Sequence, residues 1–269
     1  MHTIETLCLI CFIAGGLGAI LQGMLGIGTG IIIVPVLTFL LPYYEISSDK
    51  AIHIAIATSM AAIAINSITA LMSHYRYGNI DLSLFSKIVW YSSIGAGVGA
   101  FVATLLTGAL LQKIFSIFLF FVAFYMVCKK TGSDINKNRL QHHSKMIIGG
   151  FGIGCIASLV GSGGGILMVP FLHSLQYKMR FAVGTSTLIG LPVAMMGALI
   201  YIVLGTTQRP ISSVTIGYLH WPAFLAITSA GLLCAPIGVR LAAIFPTRLL
   251  QRVFAIVVIC IGLRMFTHH

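Results

Sequence analysis

The stretch GGLGAILQGMLGIGTGIIIVPVL, Gly15–Leu37, aligns without a gap with GFGIGCIASLVGSGGGILMVPFL, Gly150–Leu172, and 8 of the 23 positions are identical. The chain therefore reads as a duplication. In each copy a glycine cluster interrupts an apolar segment, and a proline stands five residues after its last glycine, Gly30 to Pro35 and Gly165 to Pro170. Glycine and proline interruptions at corresponding places in two halves mark broken helices in membrane transporters, and Pro35 and Pro170 read as part of the breaking device.

Length supports the break. The first interrupted segment covers residues 5–42, and as one straight helix it would be about 57 Å long, nearly twice the ~30 Å of bilayer hydrocarbon. The natural place to divide it is Gly26-Ile27-Gly28-Thr29-Gly30, with Gly161-Ser162-Gly163-Gly164-Gly165 as its counterpart in the segment 146–176. Successive glycines cost about 1 kcal/mol each in a helix and accept positive φ. Two arrangements stay open: eight spans with a parallel pair of repeats, or ten elements with an inverted pair.

Composition places the rest of the chain in lipid. Of 269 residues 58% are hydrophobic and 8% charged, with a mean hydropathy of +1.02, whereas about a quarter of a soluble domain is charged. Further helices are predicted near 51–73, 82–106 and 109–128, and again near 181–204, 217–244 and 248–266. Ala57-Thr58-Ser59 matches Gly184-Thr185-Ser186, and Leu110–Phe115 matches Leu249–Phe254, so the duplication is repeat-long. The expected fold is an all-α polytopic membrane protein of two homologous repeats of about four helices, 1–128 and 146–269, joined by a basic linker, 129–145.

The formal charge of +11 does not imply a nucleic-acid partner, because the sixteen Lys and Arg are scattered singly between apolar blocks. Their one dense run, Lys129, Lys130, Lys137, Arg139 and Lys145, predicts a cytoplasmic linker. Cys8 and Cys11 have a redox-like spacing, but within an apolar helix and without a surrounding βα pattern. No His/Asp/Glu cluster, Ser-His pair or phosphate loop suggests an enzyme, a metal or a cofactor.

A half-helix starting at Gly30 or Gly165 offers backbone N–H groups and a partial positive charge at membrane depth. Such an end suits an anion. Gly28, Thr29, Gly30, Ser162, Gly163, Gly164 and Gly165 are therefore the candidate substrate site, with Thr58, Ser59, Thr185 and Ser186 as further hydroxyl donors. The plainer alternatives are close helix packing for the glycines and hydroxyl bonding to the preceding turn for the Thr-Ser pairs. Gln22 and Asn66 appear only in the first repeat and read as interhelical hydrogen-bonding groups, with an asymmetry of the pocket as the alternative.

The acids point the same way by their positions: Glu5, Glu45, Asp49, Asp81 and Asp134 all fall at segment ends or in loops. A cation carrier or carboxylate proton relay needs an acid at mid-membrane, so the pattern favours an anionic substrate. His53, its counterpart Arg180, Lys178, Lys87 and Arg240 stand near helix ends and read as snorkelling cations, with ligand contact as the alternative, and His173 as a packed histidine, with proton coupling as the alternative.

Gly163-Gly164-Gly165-Ile166-Leu167-Met168-Val169-Pro170-Phe171-Leu172 and Gly28-Thr29-Gly30-Ile31-Ile32-Ile33-Val34-Pro35-Val36-Leu37 resemble the repeat pattern of the TauE/SafE sulfite-exporter-like family of bacterial membrane proteins, with Thr29 in place of a glycine. The Thr-Ser pairs, Gly78-Asn79-Ile80-Asp81 and Gly217-Tyr218-Leu219-His220 also look like family positions, the last without the aspartate. The resemblance implies a secondary transporter, of the exporter kind, for small sulfur-containing anions such as sulfite or organosulfonates. It also implies an inner-membrane location and leaves homo-oligomerisation open. An anion channel and a non-transporting assembly or sensor protein are the alternatives.

Overall fold

The computed structural model describes residues 4–25, 28–128, 143–207, 213–241 and 247–267. The Gly26-Ile27 step of the first glycine cluster and residues 129–142 of the basic linker, Asp134 included, lie outside the described residues. The helices are α1 (Ile4–Leu25), α2 (Gly30–Leu40), α3 (Ser48–Arg76), α4 (Leu82–Leu105), α5 (Gly108–Cys128), α6 (His143–Leu159), α7 (Gly165–Ser174), α8 (Met179–Thr206), α9 (Trp221–Leu241) and α10 (Thr247–Thr267). Among the described residues, six helices are long and apolar enough to cross a membrane, within α1, α3, α4, α5, α8 and α9. The protein is an all-α multi-pass membrane protein.

The glycine clusters do interrupt the helices. α1 stops at Leu25 and α2 starts at Gly30, while α6 stops at Leu159 and α7 starts at Gly165. Each pair doubles back on itself. Thr29 lies beside Gly18, and the Tyr44 side chain reaches the backbone of Leu7, so α2 and the 3-10 turn Leu41–Tyr44 run back along α1. Gly164 faces Ala157 and the Phe171 ring presses on Gly149, so α7 returns along α6.

Small residues at the interfaces fix the running directions. Gly15 lies on Ile227 and Gly238 on Ile20, making α1 and α9 parallel. α3 runs with them, since Thr58 meets His220 near the start of α9 and Asn66 meets Gly231 farther along. Gly95 and Gly99 of α4 lie on Phe151 and Cys155 of α6, again parallel, and α8 joins this set through Thr185 beside Asp81 and Met196 beside Gly97. The two sets run in opposite directions: Gly197 of α8 packs on Met60 of α3, and Gly184 sits by Asn79 beyond the far end of α3. α5 and α10 are antiparallel, with Gln112 bonded to Met265 and Gly262 against Leu119.

α3 is the central pillar. Its most apolar window is 78% buried, against 39–50% in the other five candidate spans. The outer faces carry exposed Leu9, Ile13, Leu17, Trp90, Ile94, Phe121 and Phe124, the surface expected where lipid is the solvent.

Two expectations need correction. Pro35 and Pro170 do not stand in the breaks but inside α2 and α7, which continue through them. A proline six residues into a helix removes one N–H bond near the helix start, and packed neighbours hold the remaining turns. The helix expected over 217–244 begins at Trp221, because Thr215–Ile216 and Leu219–His220 form a two-residue-loop hairpin first. Gly217, with φ +58°, takes the first loop position, where such a turn requires positive φ.

Candidate functional site at the two helix breaks

The two breaks touch at the level of mid-α3. Gly28 lies so close to the Ser162 carbonyl oxygen, and Gly30 to that of Gly161, that a Cβ at either position would overlap a backbone atom. Ser59 clamps the junction by donating from Oγ to the Gly161 carbonyl at 3.0 Å. The second break turns through Gly161, Gly163 and Gly164, all with positive φ, the last at +83°. Thr29, the residue equivalent to Gly164, has φ −59° and an α-helical conformation, which any L-residue adopts. The departure from glycine at Thr29 therefore follows from a different path through the first break.

Around this junction lies a narrow crevice. It is lined by Gly28, Ser162, Gly163, Gly165 and Ser186 from the expected set, together with Gln22, Ile63, Ser67, Thr187 and Gly190. Its volume is about 10 Å³, room for one water and no more. Ser162 Oγ and Gln22 Oε1 are buried there without a hydrogen-bond partner, while Gln22 Nε2 donates to Ser67 Oγ at 3.3 Å. Among the described residues, the crevice lining carries no charged side chain. The N-termini of α2 and α7 converge on it, and their first amides have no acceptor within their own helices. Two partial positive ends facing one another in a dry setting favour a negative charge between them.

Other expected residues stand elsewhere. Thr29 is buried against Gly18, and its hydroxyl has no partner. Gly164 faces Ala157 and Val193. Ser186 lines the crevice, but its Oγ donates to the Val183 carbonyl of the preceding turn at 2.8 Å. Thr58 and Thr185 serve helix starts: Thr58 Oγ1 accepts the His220 amide at 3.1 Å, and Thr185 Oγ1 the Asp81 amide at 3.0 Å. Asp81 then caps α4 by accepting from the Leu84 amide, and His220 Nδ1 accepts from the Ala223 amide in the same i to i+3 relation. The histidine thus does the work of the aspartate it replaces, provided it is neutral. Burial pushes its imidazole down to about 4, partly offset by a backbone hydrogen bond.

The basic candidates do not reach the crevice. His53 is buried with its ring nitrogens 3.1–3.2 Å from the carbonyl oxygens of Asp49, Ala103 and Leu106, stacked on Tyr218. Arg180 is exposed over the Phe181 ring. Arg240 lines a separate cleft with Arg76 at the ends of α3 and α9. Asp49 accepts from the Gly108 amide at 2.6 Å, so this acid ties the start of α3 to that of α5. Among the crevice residues, Ser67 was legible as the i+8 continuation of Ser59 through Ile63, and Gly190 as the next turn after Ser186.

Comparison with known proteins agrees with this architecture. A probable membrane transporter protein of Haemophilus influenzae is 30% identical over 264 residues, covering 97% of this chain and 98% of that protein. One of Methanocaldococcus jannaschii is 29% identical over 241 residues, covering 86% and 85% respectively. One of Bacillus subtilis is 25% identical over 279 residues, covering 96% of each. No solved structure matches. The family model described as sulfite exporter TauE/SafE matches residues 11–265, and the chain belongs to that family of membrane transporters.

Proposed function

We propose that this protein is a secondary transporter that exports small sulfur-containing anions, sulfite or organosulfonates, across the inner membrane. The observation that carries the reading is the meeting of two helix N-termini around the unpartnered, buried Ser162 hydroxyl in a crevice with no acidic side chain. Gly28, Gly30, Gly163 and Gly165 present backbone amides to the anion, and Ser162, Ser59 and Ser186 lie within the same junction. Thr29, Thr58, Gly164 and Thr185 act through the shape of the breaks and the helix starts rather than by direct contact.

Two inverted halves, 1–128 and 146–269, joined by the linker 129–145, account best for the geometry. α1, α3 and α9 run against α4, α6 and α8, and the interhelical partners exchange in pairs: α1 with α9 as α6 with α4, and α3 with α9 as α8 with α4. On this reading the two helical hairpins enter from opposite sides and meet at the anion. A crevice with room for one water is an occluded form, and rocking one hairpin away from the other would open it to one side at a time.

Closure at the centre favours a carrier over an open channel. The test is counterflow in proteoliposomes: preloaded sulfite should accelerate uptake of labelled sulfite or an organosulfonate, with saturation. Flux linear in anion concentration would assign a channel, and no flux across a panel of sulfur anions would leave the breaks as packing devices.

A further inference from the structure

We propose a second oxyanion-binding site, a vestibule between the ends of α3 and α9 with Arg76 and Arg240 as its ligands. The cleft has a volume of about 440 Å³ and is lined by Thr69, Ser73, Arg76 and Tyr77 from one side and Pro236 and Arg240 from the other. Among the described residues, no acidic side chain lines it. Thr69, Ser73 and Arg76 follow one another at i, i+4 and i+7, so they share a face of α3 directed at α9. Two guanidiniums that open onto one cleft with no carboxylate beside them match the planar, multiply accepting face of an oxyanion.

The duplication shows that this face is not simply what helix ends look like in this protein. At the offset of 127 residues that aligns Thr58-Ser59 with Thr185-Ser186, Thr69, Ser73 and Arg76 correspond to Met196, Ile200 and Val203. At the offset of 139 residues that aligns Asp81 with His220, Arg240 corresponds to Phe101. Met196, Val203 and Phe101 are 37%, 56% and 49% exposed, an apolar outer surface. One half has a lipid-type face where the other has a two-arginine cleft.

The cleft also leads inward. Asn66 stands on the same face of α3, one turn before Thr69, is 0% exposed, and has neither amide atom hydrogen-bonded. It lies against Gly231 on the α3–α9 seam, and the next residue, Ser67, lines the central crevice. From Ser67 to Arg76 the helix rises about 14 Å. Arg76 and Arg240 thus hold the outer end of a seam whose inner end is an unsatisfied amide beside the breaks. The bound group is a small tetrahedral or pyramidal oxyanion, and its chemistry is shared by free sulfite and by the headgroup of an anionic lipid. That the vestibule feeds transport rests on the proposed function above; the binding does not.

The experiment measures binding to the purified full chain, by thermal stabilisation, with two probes: sodium sulfite in detergent against matched chloride, and phosphatidylglycerol against phosphatidylcholine in nanodiscs. Arg76→Gln and Arg240→Gln should each raise the apparent Kd about tenfold, the loss of one charge-assisted contact. Arg76→Lys should recover part of it, and Arg180→Gln, which removes an exposed charge elsewhere, should leave it unchanged. Arginine-dependent binding of sulfite identifies a solute site, and arginine-dependent stabilisation by phosphatidylglycerol alone identifies a headgroup site. The proposal is overturned if neither probe binds, or if both bind the double Gln variant as they bind the wild type. Arginine-dependent binding without counterflow would sink the transporter reading and keep the vestibule; counterflow with arginine-independent binding would do the reverse.

Discussion

Replacing Gly28 by alanine puts a methyl group onto the Ser162 carbonyl oxygen, with the Ser162 carbonyl carbon 2.8 Å away. Both are backbone atoms, so no side-chain rotation relieves the overlap and the two breaks must part by roughly an ångström or more, at a cost of about 1–3 kcal/mol for overpacking a tight interior. Two other glycines calibrate the number. Gly164→Ala has room, its nearest neighbours being Ala157 Cβ at 3.6 Å and Val193 Cγ1 at 3.8 Å, but φ is +83°, and an L-residue there costs about 1–2 kcal/mol. Gly152→Ala meets nothing within 4 Å in the middle of α6 and should stabilise by roughly 1 kcal/mol through helix propensity. Thermal unfolding in detergent, at ~2–4 °C per kcal/mol, should order the variants Gly152→Ala above wild type, and Gly28→Ala and Gly164→Ala below it. In counterflow Gly28→Ala should be the most impaired of the three, since it alone wedges apart the proposed contact. A Gly28→Ala protein as stable and active as Gly152→Ala would refute the meeting of the breaks.

Thr58→Val strands the buried amide of His220 and Thr185→Val the part-buried amide of Asp81, and each should lower stability, the first by about 1–3 kcal/mol and the second by less, with serine at either position restoring most of it; equal stability of the Val and Ser variants in a melting assay would count against the helix-start role. His220 must be neutral to cap α9, and with its imidazole pushed down to about 4 from an ordinary 6.5, the unfolded chain takes up the proton first. Stability in detergent should therefore fall as pH drops through that window, by an upper limit of roughly 3 kcal/mol, and His220→Asn, a capping residue without titration, should flatten the fall between pH 6.5 and 4. Ser162→Ala removes a hydroxyl that bonds nothing in the occluded form, so melting should barely change while the apparent affinity for sulfite drops about tenfold; an unchanged half-saturation would remove Ser162 from the anion's path.

Much of the scaffold was legible because it follows from one-dimensional patterns. Apolar blocks of span length located the long helices, and glycine clusters in 38 residues too long for one span located both breaks. Direction was not legible: whether a chain doubles back after Leu25 depends on which face of α2 finds a partner, and Gly18 receiving Thr29 is a tertiary fact. Pro35 and Pro170 looked like the breaking residues because proline removes a helix bond, yet the glycines upstream had already ended the helix. Thr58 and Thr185 showed their repetition in the sequence but not its purpose, which is to hold the first residue of the next helix in the other half. Gln22 stood out in the sequence as a polar group of the first repeat alone and Thr187 did not stand out, since only the crossing of α1, α3 and α8 gathers them with Ser67 around the break.

The central claim, that anions pass between the two breaks, is tested most directly by chemical access to Ser162→Cys in a chain whose native cysteines have been replaced. In reconstituted protein a negatively charged, sulfonate-bearing methanethiosulfonate should label Cys at this position slowly and stop counterflow as it does so. A simple alkanesulfonate, which unlike sulfite neither consumes the reagent nor cleaves the mixed disulfide, should protect the site at the concentrations that saturate transport, and a positively charged reagent of the same size should label it far less. Labelling that is insensitive to the alkanesulfonate, or complete modification that leaves counterflow unchanged, would contradict the account.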